Sequence, residues 1–251
     1  MFEVTCPSGF QGVFRGMKVR DEQLFSDRKL AKSGRTISAL LDACWLETKE
    51  QGPYVIPTAT RPDWDAMLLA DRTYLIVQLR IGSYGENYDF RVTCGNCRNH
   101  FVWGVNLKEL DVKPVSEAGK QHVKTGEPLL VDLPDGRKVK VKLLTGKDEE
   151  FIGKLSAKDE VKTLTYHLSR RLLEIDGKTR WEDIVKIVED METGVADHIW
   201  NVTDELEGGV DTSFDIECAE CHRLQQVVLP FEAGFFSSRK RFALSKESAS
   251  G

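Results

Sequence analysis

Two Cys-x-x-Cys motifs constrain the fold more than any other feature of this 251-residue sequence, and 120 residues, 98 to 217, separate them. The first motif comprises Cys94 and Cys97, and the second comprises Cys218 and Cys221. Around each motif apolar residues alternate with polar ones, as in strands with one buried face. The repeat predicts two β-hairpins, each with two thiols at its turn. When the cysteines are aligned, five apolar pairs coincide: Phe90 with Phe214, Val92 with Ile216, Trp103 with Val227, Val105 with Leu229, and Leu107 with Phe231.

Four cysteines in two such turns favour a metal site. One CxxC turn offers two sulfurs to an ion, and two turns complete the four-sulfur tetrahedron of structural zinc sites. We therefore predict a structural zinc ion bound by Cys94, Cys97, Cys218 and Cys221, which would join the hairpins into one composite zinc ribbon. Thiolates also bind iron, so the sequence leaves the identity of the metal open.

Two other interpretations of the CxxC pairs stay open at the level of sequence. The thiols could be reduced pairs that only pack together, or one pair could act in thiol redox chemistry. A thioredoxin-like pair lies between a strand and a helix N-terminus, whereas both pairs here lie between predicted strands. His100 and His222 lie beside the turns as substitute ligands, but four sulfurs already fill the shell.

The composition is that of a globular chain that needs no disulfide to fold. Hydrophobic residues make up 41% and charged residues 30% of the sequence, enough for a core. The N-terminus lacks the features of a signal peptide, and no stretch has the roughly 18 apolar residues of a membrane span. We therefore expect the protein to be located in a reducing cytoplasm, where its cysteines are thiols or metal ligands rather than disulfides. Cys44 falls in an apolar helical stripe and is expected in the core, whereas Cys6 lies in a turn and is a candidate reactive thiol.

The N-terminal region predicts a hairpin followed by helices. Apolar residues around the turn signals "CPSG" and "RG" indicate a hairpin within residues 1–20. Helical spacing covers most of residues 21–45. A proline-rich loop then leads to Asp63, which we expect to cap a helix that continues to about Ile81.

Between the two cysteine motifs the sequence predicts another hairpin and a block of helices. The turn "LPDGRK" separates two alternating runs, 129–133 and 139–143. Residues 147–206 carry helical stripes, and two glycines, 208 and 209, close the block. The clearest stripe consists of Leu164, Leu168, Leu172 and Leu173.

The predicted fold class is α+β: a β-rich zinc ribbon of two CxxC knuckles, with an inserted hairpin and helical subdomain and an N-terminal hairpin with helices. Four regions are expected. They are an N-terminal region at 1–87, a composite ribbon from 88–110 and 210–236, an inserted region at 111–209, and a flexible tail at 237–251.

The sequence contains no recognisable catalytic motif. It lacks the GxSxG and HExxH motifs, phosphate-binding loops and dinucleotide fingerprints. We therefore expect that the protein is not an enzyme. The net charge of −5 is unusual for a nucleic-acid binder. A zinc-ribbon adaptor for nucleic acid remains the alternative, because Arg239–Arg241 form a short basic cluster.

Seven ordered segments suggest a family. They are "RKLAKSG", "LLDACWLET", "GPY", "DWDAMLLADRTYLIVQLRIGSYG", "YDFRVTCGNC", "DLPDGRKVKVKLLTGKDE" and "CAECHRLQQVVLPFEAGFF". The series resembles the baseplate hub assembly chaperone family of contractile-tailed, T-even-like bacteriophages, over about residues 8 to 236. The resemblance implies the zinc-ribbon pattern at the same four cysteines and supplies no catalytic residues.

This resemblance implies a non-enzymatic phage morphogenesis protein, either an assembly chaperone or a minor structural subunit of the virion tail tip. The expected partners are other baseplate hub and tail proteins, with no small-molecule substrate, membrane or nucleic acid. The expected location is the host cytoplasm during assembly, and then the virion tail baseplate if the protein stays in the particle. Exposed aromatic residues in the N-terminal hairpin and the "EAGFF" segment are expected to contact hub proteins, and the alternative is that these aromatics pack in the core.

Overall fold

The computed structural model describes residues 1–57, 60–231 and 234–236, which form the mixed α+β fold that the sequence predicts. The predicted tail at 237–251 lies outside these residues. The strands are β1 (Phe2–Thr5), β2 (Gln11–Phe14), β3 (Trp45–Glu50), β4 (Asn87–Thr93), β5 (His100–Asn106), β6 (Val112–Lys113), β7 (Leu129–Asp132), β8 (Lys138–Val141), β9 (Leu172–Glu174), β10 (Gly209–Val210), β11 (Ser213–Glu217) and β12 (Leu224–Val228). The helices are α1 (Arg28–Ser33), α2 (Thr36–Cys44), α3 (Leu69–Tyr84), α4 (Glu117–Thr125), α5 (Gly146–Ser156), α6 (Thr163–Arg171), α7 (Trp181–Glu189) and α8 (Thr193–Glu207).

The strands of the described residues form five small antiparallel sheets. Strands β1, β2 and β3 form one sheet, and β7, β8 and β9 form another. The remaining three sheets are the pairs β4–β5, β11–β12 and β6–β10. Each cysteine hairpin is therefore a separate two-stranded sheet. Because an isolated two-stranded hairpin is marginally stable in water, both hairpins depend on packing against the rest of the fold.

Two hydrophobic clusters contain most of the buried apolar side chains. The larger cluster combines the N-terminal sheet, α2, α3 and both cysteine hairpins. Phe10 and Leu40 are completely buried within it, and Val92 and Ile216 contribute one buried residue from each hairpin. The second cluster lies between the β7–β8–β9 sheet and helices α6, α7 and α8. The two cysteine hairpins thus share a core with the N-terminal elements.

The N-terminal region has the predicted hairpin and helices but differs from the prediction in two details. Strand β3 follows α2 directly and pairs with β2, where no strand was predicted. The helix expected after Asp63 begins at Leu69 instead, as α3. Asp63 caps a separate turn, since its side-chain oxygen accepts hydrogen bonds from the backbone N–H groups of Asp65 and Ala66.

The inserted region has the predicted hairpin and helical block, with one correction. Helix α6 ends at Arg171, and strand β9 begins at the next residue and pairs with β8. The prediction that the leucine stripe stays helical through Leu172 and Leu173 is therefore wrong. Leu172 still packs into the second cluster, because an apolar residue can face the same core from either type of element.

The aromatic residues expected to form an exposed contact surface are buried. Phe10 and Phe14 of the N-terminal hairpin, and Phe235 and Phe236 of the "EAGFF" segment, expose at most 2% of their surface. The ring of Phe235 lies 4.9 Å from that of Tyr88 on β4, measured between centroids. The expectation that these four aromatics contact partner proteins is therefore wrong, because they build the core.

Helix α3 positions the first cysteine hairpin. The helix ends at Tyr84, and β4 begins at Asn87. Arg80 is 6% exposed and donates hydrogen bonds to the carbonyl oxygens of Gly85 at 2.9 Å and Asn87 at 3.2 Å. Its guanidinium also lies 5.0 Å from the centre of the Tyr84 ring and 5.6 Å from that of Tyr88. The hairpin is thus joined to the helix by a short connection whose carbonyl oxygens are bonded by a buried arginine.

A short ladder brings the two ends of the inserted region together. Strand β6 follows the first cysteine hairpin, β10 precedes the second, and the two pair in antiparallel fashion. The backbone N–H of Asp211 extends the contact by donating to the carbonyl of Asp111 at 2.8 Å. The end of the first cysteine hairpin and the start of the second therefore lie close together despite their separation in sequence.

Gly208 lies at the exit of α8, immediately before this ladder. Its φ of 59° and ψ of −147° fall in a region that is essentially restricted to glycine. A Cβ atom here would lie 2.5 Å from the carbonyl oxygen of Pro114 and 2.6 Å from that of Lys113. A side chain would therefore strain the backbone and push the chain away from β6.

We expect Gly208→Ala to lower the free energy of unfolding by more than about 1 kcal/mol, because strain and a backbone clash act together. Urea unfolding followed by circular dichroism measures this change. The matched control is Gly153→Ala: Gly153 lies within α5, and a Cβ there meets open space. That variant should be neutral or stabilised by up to about 1 kcal/mol. Equal unfolding free energies for the two variants would contradict the requirement for glycine at 208.

Candidate metal centre

The four cysteines of the two CxxC motifs come together. The sulfurs of Cys94, Cys97, Cys218 and Cys221 all lie within 4.8 Å of one another. The Cys94–Cys221 and Cys97–Cys218 sulfur distances are both 3.6 Å, and both contacts join one hairpin to the other. Within the described part of the chain, this is the one group of three or more His, Cys, Asp or Glu side chains with the spacing of a metal site.

The spacing of the sulfurs fits a tetrahedral metal ion. Zn–S bonds of about 2.3 Å place the sulfurs of a tetrahedron about 3.8 Å apart, close to the contacts of 3.6 Å seen here. All four cysteines are free thiols, and a donor set of sulfur alone suits a soft or borderline-soft ion. The group is therefore able to hold one metal ion.

The two turns share the same backbone geometry. In the first, the N–H of Arg98 donates to the carbonyl of Cys94 at 3.0 Å, and the N–H of Cys94 donates to the carbonyl of Asn99 at 2.9 Å. The second turn repeats both bonds at the equivalent positions, at 2.9 and 3.0 Å. The residue after the second cysteine is left-handed in both, with φ of 62° at Arg98 and 55° at His222. Both turns adopt this conformation without the glycine that it favours.

Each turn directs one sulfur inward and the other outward. Cys94 and Cys218 are completely buried, whereas Cys97 is exposed and Cys221 is half-buried. The inward cysteine continues the buried face of the strand before it, because Val92 and Ile216 lie two residues earlier on the same face. The sulfur group consequently lies at the edge of the larger hydrophobic cluster.

Backbone N–H groups aimed at the sulfurs change the acidity of the thiols. The N–H of Cys97 lowers the pKa of the Cys94 thiol, and the N–H of Arg223 lowers the pKa of the Cys221 thiol to about 6. For Cys97, the N–H of Asn99 lowers the pKa, but desolvation and the neighbouring sulfurs together outweigh it and raise the pKa to about 12. Thiols this close to one another share protons when no cation is bound. A metal ion displaces those protons, and its positive charge offsets the electrostatic repulsion between the resulting thiolates.

The two histidines beside the turns lie outside the sulfur group. Nδ1 of His100 lies 2.9 Å from the hydroxyl of Thr93. Nδ1 of His222 lies 2.7 Å from the carboxylate of Glu217. Both imidazoles are exposed, so the group consists of sulfurs alone.

The strands around the turns confirm the predicted hairpin repeat. Phe90 lies opposite Trp103 in the first hairpin, and Phe214 lies opposite Val227 in the second. These four residues are two of the apolar pairs that the aligned sequences place together, and all four pack into the larger cluster. The sequence repeat therefore corresponds to two hairpins whose strands pair in the same register and whose equivalent faces are buried.

The remaining two cysteines lie apart from the sulfur group. Cys44 is completely buried in α2, which confirms that it is a core residue. Cys6 is 4% exposed, and burial raises the pKa of its thiol well above the usual range. A buried thiol that stays protonated is a poor nucleophile, so the hypothesis that Cys6 is reactive is wrong.

Two residues that the sequence analysis did not single out also join the turns. The side chain of Gln225 bonds to the backbone of the first turn, and Asn96 of the first turn accepts a hydrogen bond from Arg223 of the second. One signal could have identified Gln225: it is the polar residue at the position that Phe101 occupies in the first hairpin.

Comparison with known families gives one match. The family described as "T4 bacteriophage base plate protein" matches residues 2–237. The chain belongs to this family of phage baseplate proteins. The match includes both cysteine turns and everything between them, and it indicates partners among other baseplate proteins and a location in the tail baseplate. No curated protein and no solved structure matches the chain. The helices of the described residues are too short or too polar to cross a membrane.

We expect Cys218→Ser to remove most of the bound metal, because the variant replaces one of four thiolates with a weakly coordinating hydroxyl. Elemental analysis of the purified wild-type protein should give about one metal ion per chain. After dialysis against a mild chelator, the variant should retain less than about half of that amount. The control is Cys6→Ala, which removes a buried thiol outside the sulfur group. Equal metal contents in the wild type and Cys218→Ser would contradict the assignment.

Proposed function

We propose that this baseplate protein acts in the assembly of the baseplate hub, either as an assembly chaperone or as a minor structural subunit of the tail tip, without enzymatic activity. The family match over residues 2–237 carries the proposal. The series of sequence segments that resembles hub assembly chaperones runs through both cysteine turns. This resemblance supports the hub as the part of the baseplate in which the protein acts.

The metal in this proposal is a structural zinc ion held by Cys94, Cys97, Cys218 and Cys221. Four sulfurs fill a tetrahedral shell and leave no position for water or a substrate, which is the arrangement of structural rather than catalytic zinc. The ion would hold together two hairpins that share no backbone ladder in the described structure. Its contribution is the rigidity of the ribbon.

Exposed apolar side chains on the two cysteine hairpins support a role in protein contacts. Val102 on β5 is 63% exposed, and Leu224 and Val228 on β12 are 70% and 64% exposed. A bound partner protein would bury the apolar area that these side chains expose to water. In this proposal they replace the buried aromatics of the N-terminal hairpin and "EAGFF" segment as the contact with hub proteins.

The distribution of charge also supports a role in binding. Residues 181–211 contain ten acidic residues and one lysine, a net charge of −9, which leaves +4 for the rest of a chain whose total is −5. Within this segment Asp190 and Glu192 are exposed at the junction of α7 and α8, and Asp197 is exposed on α8. Surfaces of opposite sign orient a protein among its partners and select between them. The acidic helices also disfavour nucleic acid as a partner, and the basic cluster at 239–241 lies outside the described residues.

A phage with a nonsense mutation in the gene for this protein tests the proposal. We expect infected cells to accumulate tail parts without a complete hub, and infectious particles to return when the intact gene is supplied in trans. Mass spectrometry of purified virions then separates the two versions: a structural subunit appears at stoichiometric copy number, and a chaperone appears only in assembly intermediates. Normal yields of infectious particles from the mutant would contradict both versions.

A further inference from the structure

The two cysteine hairpins differ at one position that faces the opposite hairpin. Position 225 of the second hairpin is equivalent to position 101 of the first, four residues after the second cysteine in each case. Phe101 packs against the larger hydrophobic cluster. Gln225 instead reaches the first turn, where its Oε1 accepts a hydrogen bond from the N–H of Gly95 at 3.0 Å and its Nε2 donates to the carbonyl of Thr93 at 3.5 Å.

The two bonds of Gln225 use both ends of its carboxamide. One end accepts from a backbone N–H and the other donates to a backbone carbonyl, so a single orientation of the amide satisfies both. The residues it contacts, Thr93 and Gly95, lie on either side of Cys94. Gln225 therefore fixes the backbone that carries the inward sulfur of the other hairpin.

Asn96 makes the converse contact from the first turn to the second. Its side-chain oxygen accepts a hydrogen bond from Arg223 at 3.3 Å. Each turn thus sends one carboxamide across to the other.

These contacts matter because the strands of the two hairpins form no ladder with each other in the described residues. The hairpins meet through apolar side chains below the turns and through these two carboxamides beside the sulfurs. Apolar packing is non-directional and leaves the two turns free to shift against each other. The hydrogen bonds of Gln225 to the backbone of the first turn and of Arg223 to the side chain of Asn96 are directional and set their mutual position.

We propose that Gln225 and Asn96 are positioning residues of the metal centre, which hold the two turns at the sulfur spacing of a tetrahedral ion and thereby slow the loss of the metal. The inference rests on the zinc centre proposed above. Outer-shell partners of this kind typically change metal affinity by about 10–100-fold when they are removed.

The test uses three full-length variants loaded with zinc. Gln225→Phe copies the residue at the equivalent position of the first hairpin, so it keeps the bulk and removes both hydrogen bonds. Asn96→Ala removes the converse contact at an exposed site, where folding is not at risk. Gln226→Ala is the control, because Gln226 is exposed on the opposite face of the same strand.

The first readout is the rate of zinc release to a chromophoric chelator. Gln225→Phe and Asn96→Ala should each release zinc about tenfold faster than the wild type, and Gln226→Ala should match the wild type. The second readout is the visible absorption of the cobalt-substituted protein, which reports the arrangement of the ligands around the ion. The bands should shift in the first two variants and stay unchanged in the control, an effect that general loss of stability does not produce.

Two results would overturn the inference, and they differ in what else they affect. Wild-type rates and spectra in both Gln225→Phe and Asn96→Ala would remove the positioning role and leave the zinc centre intact. A wild-type protein that retains no metal would remove the zinc centre and the positioning role with it. Neither result bears on the family match that carries the assembly role.

Discussion

The meeting of two cysteine turns from distant parts of the chain is the contact on which the rest of the structure depends. Each hairpin has only two strands, and such a hairpin is marginal by itself. The β6–β10 ladder brings the end of the first hairpin close to the start of the second, and the shared core then buries one face of each. The inserted region between them has a hydrophobic core of its own. The ladder therefore connects the parts of the chain that form the two hydrophobic clusters.

The sequence predicts the cysteine hairpins well because the side chains of a strand alternate with a period of two. A repeat of paired thiols with matched apolar residues leaves one consistent register, and the structure has it. Strands β3 and β9 differ from the prediction because each directly continues a helix and is defined by pairing with a strand distant in sequence. The β6–β10 ladder has two residues on each side and no local pattern at all. Asp63 carried a genuine capping signal, but the turn that it caps ends before the helix begins.

In the candidate metal centre, too, some features follow from the local sequence and others from contacts between residues that are distant in sequence. The identity of the four sulfurs follows from spacing alone, whereas the contacts of Gln225 and Asn96 appear only when the two hairpins are side by side.

X-ray absorption spectroscopy at the zinc edge, on protein purified without added metal, tests the central claim most directly. The account predicts a single shell of four sulfurs at about 2.3 Å with no nitrogen or oxygen ligand, because the two turns supply all four ligands and the nearby histidines make other contacts. A shell that mixes sulfur with nitrogen or oxygen, or the absence of bound zinc, would contradict it. A mixed shell would mean that a ligand other than these four cysteines completes the site, and the absence of zinc would mean that the two turns meet without sharing a zinc ion.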